Sequence, residues 1–232
     1  RNLDLWKSSH KGTIFDRDAI SNFGGPLSTV NAWYSPVTNT ITIFPGILRA
    51  PFFHLKYVDA SLYGSIGMVA AHEISHSMDD IGRRFDKEGS FVDWWSEQSK
   101  ESFHKKALCI IKEYKTPEGC ETEHYGEQTL CEDIADIVGI KLAFEAFVNA
   151  QSKQGKRVTD DERRLFFYTF AQNWCESYDQ EHLCSRVKDD VHAIARYRVD
   201  QTLRQIPYFA EAFGCHGHMK MVHEDPCVMY GQ

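Results

Sequence analysis

"VAAHEISHSMDD", residues 69–80, sets His72 and His76 four positions apart, with Glu73 between them and Asp79 and Asp80 close behind. On a helix, side chains at i and i+4 stand one above the other, so two imidazoles there offer a divalent ion two neutral nitrogens at nearly fixed separation. Leu62, Ile66, Val69, Ala70, Ile74 and Met78 recur at helical spacing, which predicts a helix over 61–81 with Gly82 placed to end it. At about 100° per residue Asp79 shares the direction of His72, whereas Asp80 points about 80° away. A carboxylate at Asp79 can accept the spare N–H of a ligand imidazole and hold its tautomer. Glu73 falls about 100° from His72 and about 60° from His76, beside the metal face, where a general base belongs.

Two histidines leave tetrahedral zinc short of protein donors, because a catalytic site needs a third and an open position for water. "CEDIADIVGIKLAF", residues 131–144, supplies a candidate: Glu132 and Asp136 are again four apart, and Gly139 shares their face. Alone, that stripe reads more readily as a solvated acidic surface, and a surface pair is the alternative reading of the histidines. Together they read as a centre in which Glu132 ligates, Asp136 braces a histidine and Gly139 lets two helices approach closely. Cys131 is expected to point about 100° from the metal face. No Ser or Cys/His nucleophile arrangement is apparent.

The remaining sequence sets the frame. A length of 232 residues allows one sizeable core and is short for two, so residues 1–232 read as a single domain. Net charge is −7, with Lys and Arg dispersed, which argues against a nucleic-acid partner. No apolar run of 18 or more residues appears, so no membrane contact is expected from this segment. The opening "RNLDLWKSSH" has the character of neither a signal nor a transit peptide, so any targeting segment is expected outside this sequence. Seven cysteines without the close pairs of a structural zinc site suggest disulfides in an oxidising compartment, and an odd count leaves at least one unpaired within the chain.

The expected fold class is α+β and predominantly helical, with a small N-terminal hairpin. The first 55 residues look loop-rich, with "NAWYS" (31–35) and "TITIF" (40–44) as strands joined by a turn. Helices follow from an Asp93 cap to about Tyr114, from about Glu127 to Asn149, and from the capping-box pattern Thr159–Glu162 through Phe166, Phe167, Phe170 and Trp174. Short helices are expected over 198–205 and 208–213, the second entered through Pro207.

"NAWYSP", "PGILRAPFF", "HEISHSMDDIGRRFDKEGSFVDWW", "CEDIADIVGIKLAF", "RLFFYTFAQNWC" and "DDVHAIARYRV" resemble, in order and spacing, the neprilysin and endothelin-converting-enzyme family of zinc endopeptidases. The resemblance implies a thermolysin-like zinc-peptidase lobe holding one Zn2+ on His72, His76 and Glu132. It implies Glu73 as the base that shuttles a proton to the leaving amine, and Asp79 and Asp136 as braces of the ligands, with Asp136 grouped among the catalytic residues. His192 would meet the scissile carbonyl oxygen and Arg198 a substrate carbonyl. Asn31 and Ala32 would pair with the substrate backbone as an added strand. Phe52, Met68, Val69 and Trp174 would line a pocket for a large hydrophobic residue just after the cut bond, although for Phe52 and Met68 core filling is an equal reading.

The resemblance also implies a Cys109–Cys227 bridge, with Cys175 and Cys215 matching positions that bond to an N-terminal helical lobe of the same protein. The chain is therefore expected to be part of a larger ectodomain, membrane-anchored by a single pass or secreted, at the cell surface or outside it. A local Cys120–Cys131 bridge is the reading for two more cysteines; Cys184 has no assignment. The family's glycine before the zinc glutamate is Cys131 here, its Ser-Pro after the site histidine is Ala193-Ile194, and Tyr230 stands for its terminal tryptophan. Two functions follow: a zinc endopeptidase cutting short peptides, or a silent relative that binds zinc and peptide without turnover.

Overall fold

The computed structural model describes residues 25–230, in which the hairpin packs against the histidine helix. Part of the loop-rich reading of the first 55 residues thus lies outside the described residues. Strands β1 (Ala32–Ser35) and β2 (Thr40–Ile43) pair antiparallel, Ala32 opposite Ile43 and Ser35 opposite Thr40. Helix α1 (Asp59–Leu62) runs through a π-helical turn (Tyr63–Gly67) into α2 (Met68–Ser75), which carries the histidine motif. A wide turn of this kind is frequent next to functional sites.

The histidine helix stops at Ser75 and does not reach Ile81. One 3₁₀ turn (His76–Met78) follows, and Asp79 is extended (φ −69°, ψ −173°). The reason is local competition for the backbone. Asp79 Oδ1 takes the N–H groups of Ile81 (2.8 Å) and Gly82 (2.6 Å), donors that a continuing helix would give to its own carbonyls. The Met78 carbonyl so released accepts Tyr230 Oη–H at 2.6 Å, tying the chain's end to the motif.

Helix α3 (Glu97–Glu113) begins three residues later than expected. Ser96 is its cap, accepting from Ser99 N–H, while the Asp93 carboxylate is held by Lys100. A short α4 (Tyr125–Gln128) precedes α5 (Leu130–Lys153), which is longer than the stretch read from the sequence. Helix α6 (Asp160–Gln172) opens on the foreseen capping box, with Thr159 and Glu162 each bonded to the other's backbone N–H. Helix α7 (Gln180–Asp189) was not foreseen: only Leu183 and Val187 give "QEHLCSRVKD" an apolar side. Helices α8 (Ala195–Arg204) and α9 (Pro207–Phe213) complete the chain, each starting before the expected residue.

Helix α5 is the axis. Its Ile134, Ile140, Phe144 and Phe147 are buried, and the rings of Phe144 and Phe147 pack against Phe166 and Phe167 of α6. Its other side lies along α2 at Gly139, where a Cβ would sit 2.8 Å from both N and Cα of His72. Only glycine allows that approach, and the approach sets the distance between the two halves of the site.

Cys109 and Cys227 are joined, fastening α3 to the C-terminal segment. The second bridge is Cys120–Cys184, which replaces the expected Cys120–Cys131 pairing. Cys184 on α7 brings its Cα within 5.1 Å of Cys120, a normal bridging distance, whereas Cys131 opens α5 and is free, as are Cys175 and Cys215. No helix among the described residues is long and apolar enough to cross a membrane.

Candidate metal centre and cleft

Helices α2 and α5, locked at Gly139, bring His72, His76 and Glu132 to one point: a nitrogen of each imidazole and a carboxylate oxygen lie within 4.8 Å of one another. His72 Nε2 stands 3.1 Å from His76 Nε2 and 3.2 Å from Glu132 Oε2, and His76 Nε2 is 3.6 Å from Glu132 Oε1. The outer nitrogens are fixed by carboxylates. His72 Nδ1 is 2.8 Å from Asp136 Oδ1, and His76 Nδ1 is 2.7 Å from Asp79 Oδ2. A carboxylate beside Nδ1 favours the proton there, so in each neutral ring Nε2 carries the lone pair.

Two lone pairs and a carboxylate oxygen thus face one another with no proton among them, which is repulsive unless a cation sits between. Glu132 Oε2 is buried without a well-formed hydrogen bond. Bonds of about 2.0–2.1 Å at tetrahedral angles give ligand–ligand edges of about 3.3 Å, and the three observed separations bracket that value. The residues therefore fit a zinc ion. Electrostatics agree. Burial works against a charged His72, yet the accepting carboxylates of Asp136 and Glu132 push its pKa up to about 9. Burial likewise opposes ionised Glu132, and the His72 hydrogen bond and charge hold it down to about 2. The centre demands positive charge, and a proton on His72 stands where the metal would.

A cleft of ≈ 450 Å³ opens over this point. Glu73 is buried in its wall, and burial raises its carboxyl against the lowering pull of His72 and His76. A carboxylate raised in this way is suited to take and return a proton near neutral pH. His192 reaches the centre from the far side, Nε2 3.3 Å from Glu132 Oε2, with its Nδ1 held 2.8 Å from Asp190 Oδ1. Asp190 was missed in the sequence, although its place two residues before His192 is a usable signal.

Arg198 spends Nε and one terminal nitrogen on Asp136, at 2.7 and 2.8 Å, and its guanidinium lies 3.8 Å over the Trp174 ring. Burial opposes the charge of Asp136, but Arg198 and His72 outweigh it and hold the carboxyl far below its usual range. Asp136 does not line the cleft. It is fully buried, lying against His72 and Arg198.

Asn31, Ala32, Phe52, Met68, Val69 and Trp174 all line the cleft. Met68 is also 1 % exposed and part of the core. Trp33, Tyr34, Ile47 and Ile81 join them, and none was singled out in the sequence. Cys131 also lines the cleft despite its expected direction, and burial beside Glu132 pushes its thiol up to about 12, so it stays protonated. Ala193 and Ile194, at the Ser-Pro position, are packed into the core.

Two imidazoles and a carboxylate set by crossing helices, with a glutamate in the cleft wall, define a metallopeptidase-type centre. Residues 31–229 match Peptidase family M13, and the chain belongs to that family. It is 38 % identical to human neprilysin over 208 residues, 86 % of this chain and 28 % of that protein. Similarity to an endothelin-converting enzyme homolog of Locusta migratoria is 33 % over 237 residues, 99 % of this chain and 33 % of the relative. Among solved structures, a zinc metalloprotease of Mycobacterium tuberculosis in complex with an inhibitor superposes with a TM-score of 0.77 at 29 % identity, covering 86 % of this chain and 32 % of that one. PepO from Lactobacillus rhamnosis gives 0.76 at 29 % identity over 86 % of this chain and 30 % of its own. The chain thus spans about a third or less of the length of these relatives.

Proposed function

We propose that this chain carries the catalytic centre of a zinc-dependent endopeptidase that hydrolyses short peptides on the amino side of large hydrophobic residues, outside the cell or at its surface. The observation that carries the reading is the trio of lone-pair donors at His72, His76 and Glu132, with each imidazole backed at Nδ1 by a carboxylate, an arrangement that a cation between them satisfies. Zinc held there would lower the pKa of a water and polarise the scissile carbonyl. The chain's own residues do the rest. Glu73 accepts the proton of the attacking water and passes it to the leaving amine. His192, when its ring carries a proton at Nε2 as well as at the Asp190-held Nδ1, donates from Nε2 to the oxygen on which negative charge develops, an interaction worth a few kcal/mol in a site closed to water.

Arg198, clamped by Asp136 and stacked on Trp174, keeps a terminal nitrogen for a substrate carbonyl. Substrate backbone adds alongside β1 at Asn31 and Ala32, so many sequences are accepted. Phe52, Met68, Val69 and Trp174 then select the side chain after the cut bond. The upstream lobe of the same protein would complete the cleft. The deciding experiment follows cleavage of a quenched peptide by the zinc-loaded full-length protein and its Glu73→Gln variant. Full activity in the variant would overturn the assignment of the base. The silent relative instead predicts zinc and peptide binding with no turnover in the unaltered protein.

A further inference from the structure

His192 stands on a loop, and its distance from the metal ligands depends on what holds that loop. The loop leaves α7 at Asp190 and enters α8 at Ala195. Within it, Asp190 Oδ1 accepts the backbone and ring N–H of His192, while its other oxygen accepts Arg186 Nη2 at 2.7 Å. These bonds fix His192 relative to Asp190, and all lie inside the α7–loop unit. They do not fix that unit relative to Glu132.

The link to Glu132 is Gln128. Its amide nitrogen donates to Val187 O at 3.1 Å and to Asp190 O at 2.6 Å, which uses both of its N–H groups. The Val187 carbonyl lies in the last turn of α7, where carbonyls lack partners within the helix. Gln128 therefore caps α7 and sets where the chain turns off towards His192. Gln128 is itself four residues before Glu132. A second bond from α4, Ile194 N–H to Tyr125 Oη at 2.8 Å, holds the far end of the same loop. Helix α4 is backed directly on α3: a Cβ at Gly126 would lie 2.3 Å from Ile111 O, so α4 has no room to shift.

We propose that Gln128 is a positioning residue for His192, its side-chain amide registering the His192 loop against the rigid α4–α5 unit that carries the zinc ligand Glu132. This rests on the reading of His192 as donor to the scissile carbonyl oxygen. Nothing about Gln128 suggested it in the sequence, because its partners are backbone carbonyls 59 and 62 residues away.

The test uses the zinc-loaded full-length protein. Gln128→Met keeps the length and removes both donors; Gln128→Lys restores donors at similar reach. Gln128→Met is expected to lower kcat about tenfold with KM changed less than about twofold, a fraction of what removing an oxyanion donor costs, and Gln128→Lys to recover most of the loss. In a His192→Ala background, Gln128→Met should cost less than about twofold, because the two changes act through one group. Amide hydrogen exchange over residues 187–194 should rise in Gln128→Met while zinc content stays at one per chain.

An equal loss of kcat in both backgrounds, or exchange over 187–194 unchanged, would overturn the proposal. If His192→Ala alone leaves kcat intact, the reading of His192 fails, and the exchange measurement still decides whether Gln128 holds the loop.

Discussion

The centre is built from residues whose second nitrogen or oxygen matters as much as the first. Asp136 lies against His72 and accepts from Arg198 at once, so one buried carboxylate orients both a proposed metal ligand and the cation proposed to meet substrate. Replacing Asp136 by Asn should free His72 to turn and weaken zinc binding by about 10- to 100-fold, read by competition with a chromogenic chelator. Glu73→Gln should leave zinc affinity within a fewfold but lower kcat by about 10²- to 10⁴-fold, the usual worth of a positioned base. The residue scale was also the most legible. His72, Glu73, His76 and Glu132 followed from i, i+4 spacing and from the ligand count zinc requires, and Asp79 was expected to brace a histidine. Its partner is His76 through a 3₁₀ turn, not His72 along a continued helix. His192 and Arg198 came only from the resemblance, since no local pattern marks one histidine among eleven as facing a site assembled from α2 and α5.

At the scale of elements, α2 against α5 is the contact on which the metal geometry depends. The sequence announced it through Gly139, whose place on the face of Glu132 has a packing meaning. A side chain there must push His72 backbone aside, so Gly139→Val should cost about 1–3 kcal/mol in denaturant unfolding and lower zinc affinity as well. Had the helices room to spare, the variant would unfold like the parent. Helix ends were less legible than helix faces. Asp93 and Ser96 are both good caps by type, and only the fold shows that Asp93 is taken by Lys100. Helix α7 escaped because its stability comes from the Asp179 cap, the Cys120–Cys184 bridge and Gln128, none of which leaves an apolar period.

For the whole molecule, the C-terminal segment acts as a strap. Cys227 bridges to Cys109 on α3, and Tyr230 reaches Met78 beside the metal helix, so a change of tryptophan to tyrosine there finds a hydrogen bond of its own. Cys109→Ser together with Cys227→Ser should lower unfolding stability by about 2–5 kcal/mol, measured with and without zinc to separate the strap from the centre. The odd cysteine count signalled at least one cysteine unpaired within the chain, as Cys131, Cys175 and Cys215 are, but pairings such as Cys120–Cys184, 64 residues apart, are set by tertiary placement and cannot be read from spacing. All of this converges on one cation. X-ray absorption at the zinc edge of the purified protein tests it most directly. One zinc per chain with two imidazole nitrogens and further oxygens at about 2.0–2.1 Å, lost in Glu132→Ala, is the predicted result. A sulfur at about 2.3 Å, as Cys131 would supply, or zinc retained unchanged without Glu132, would contradict it.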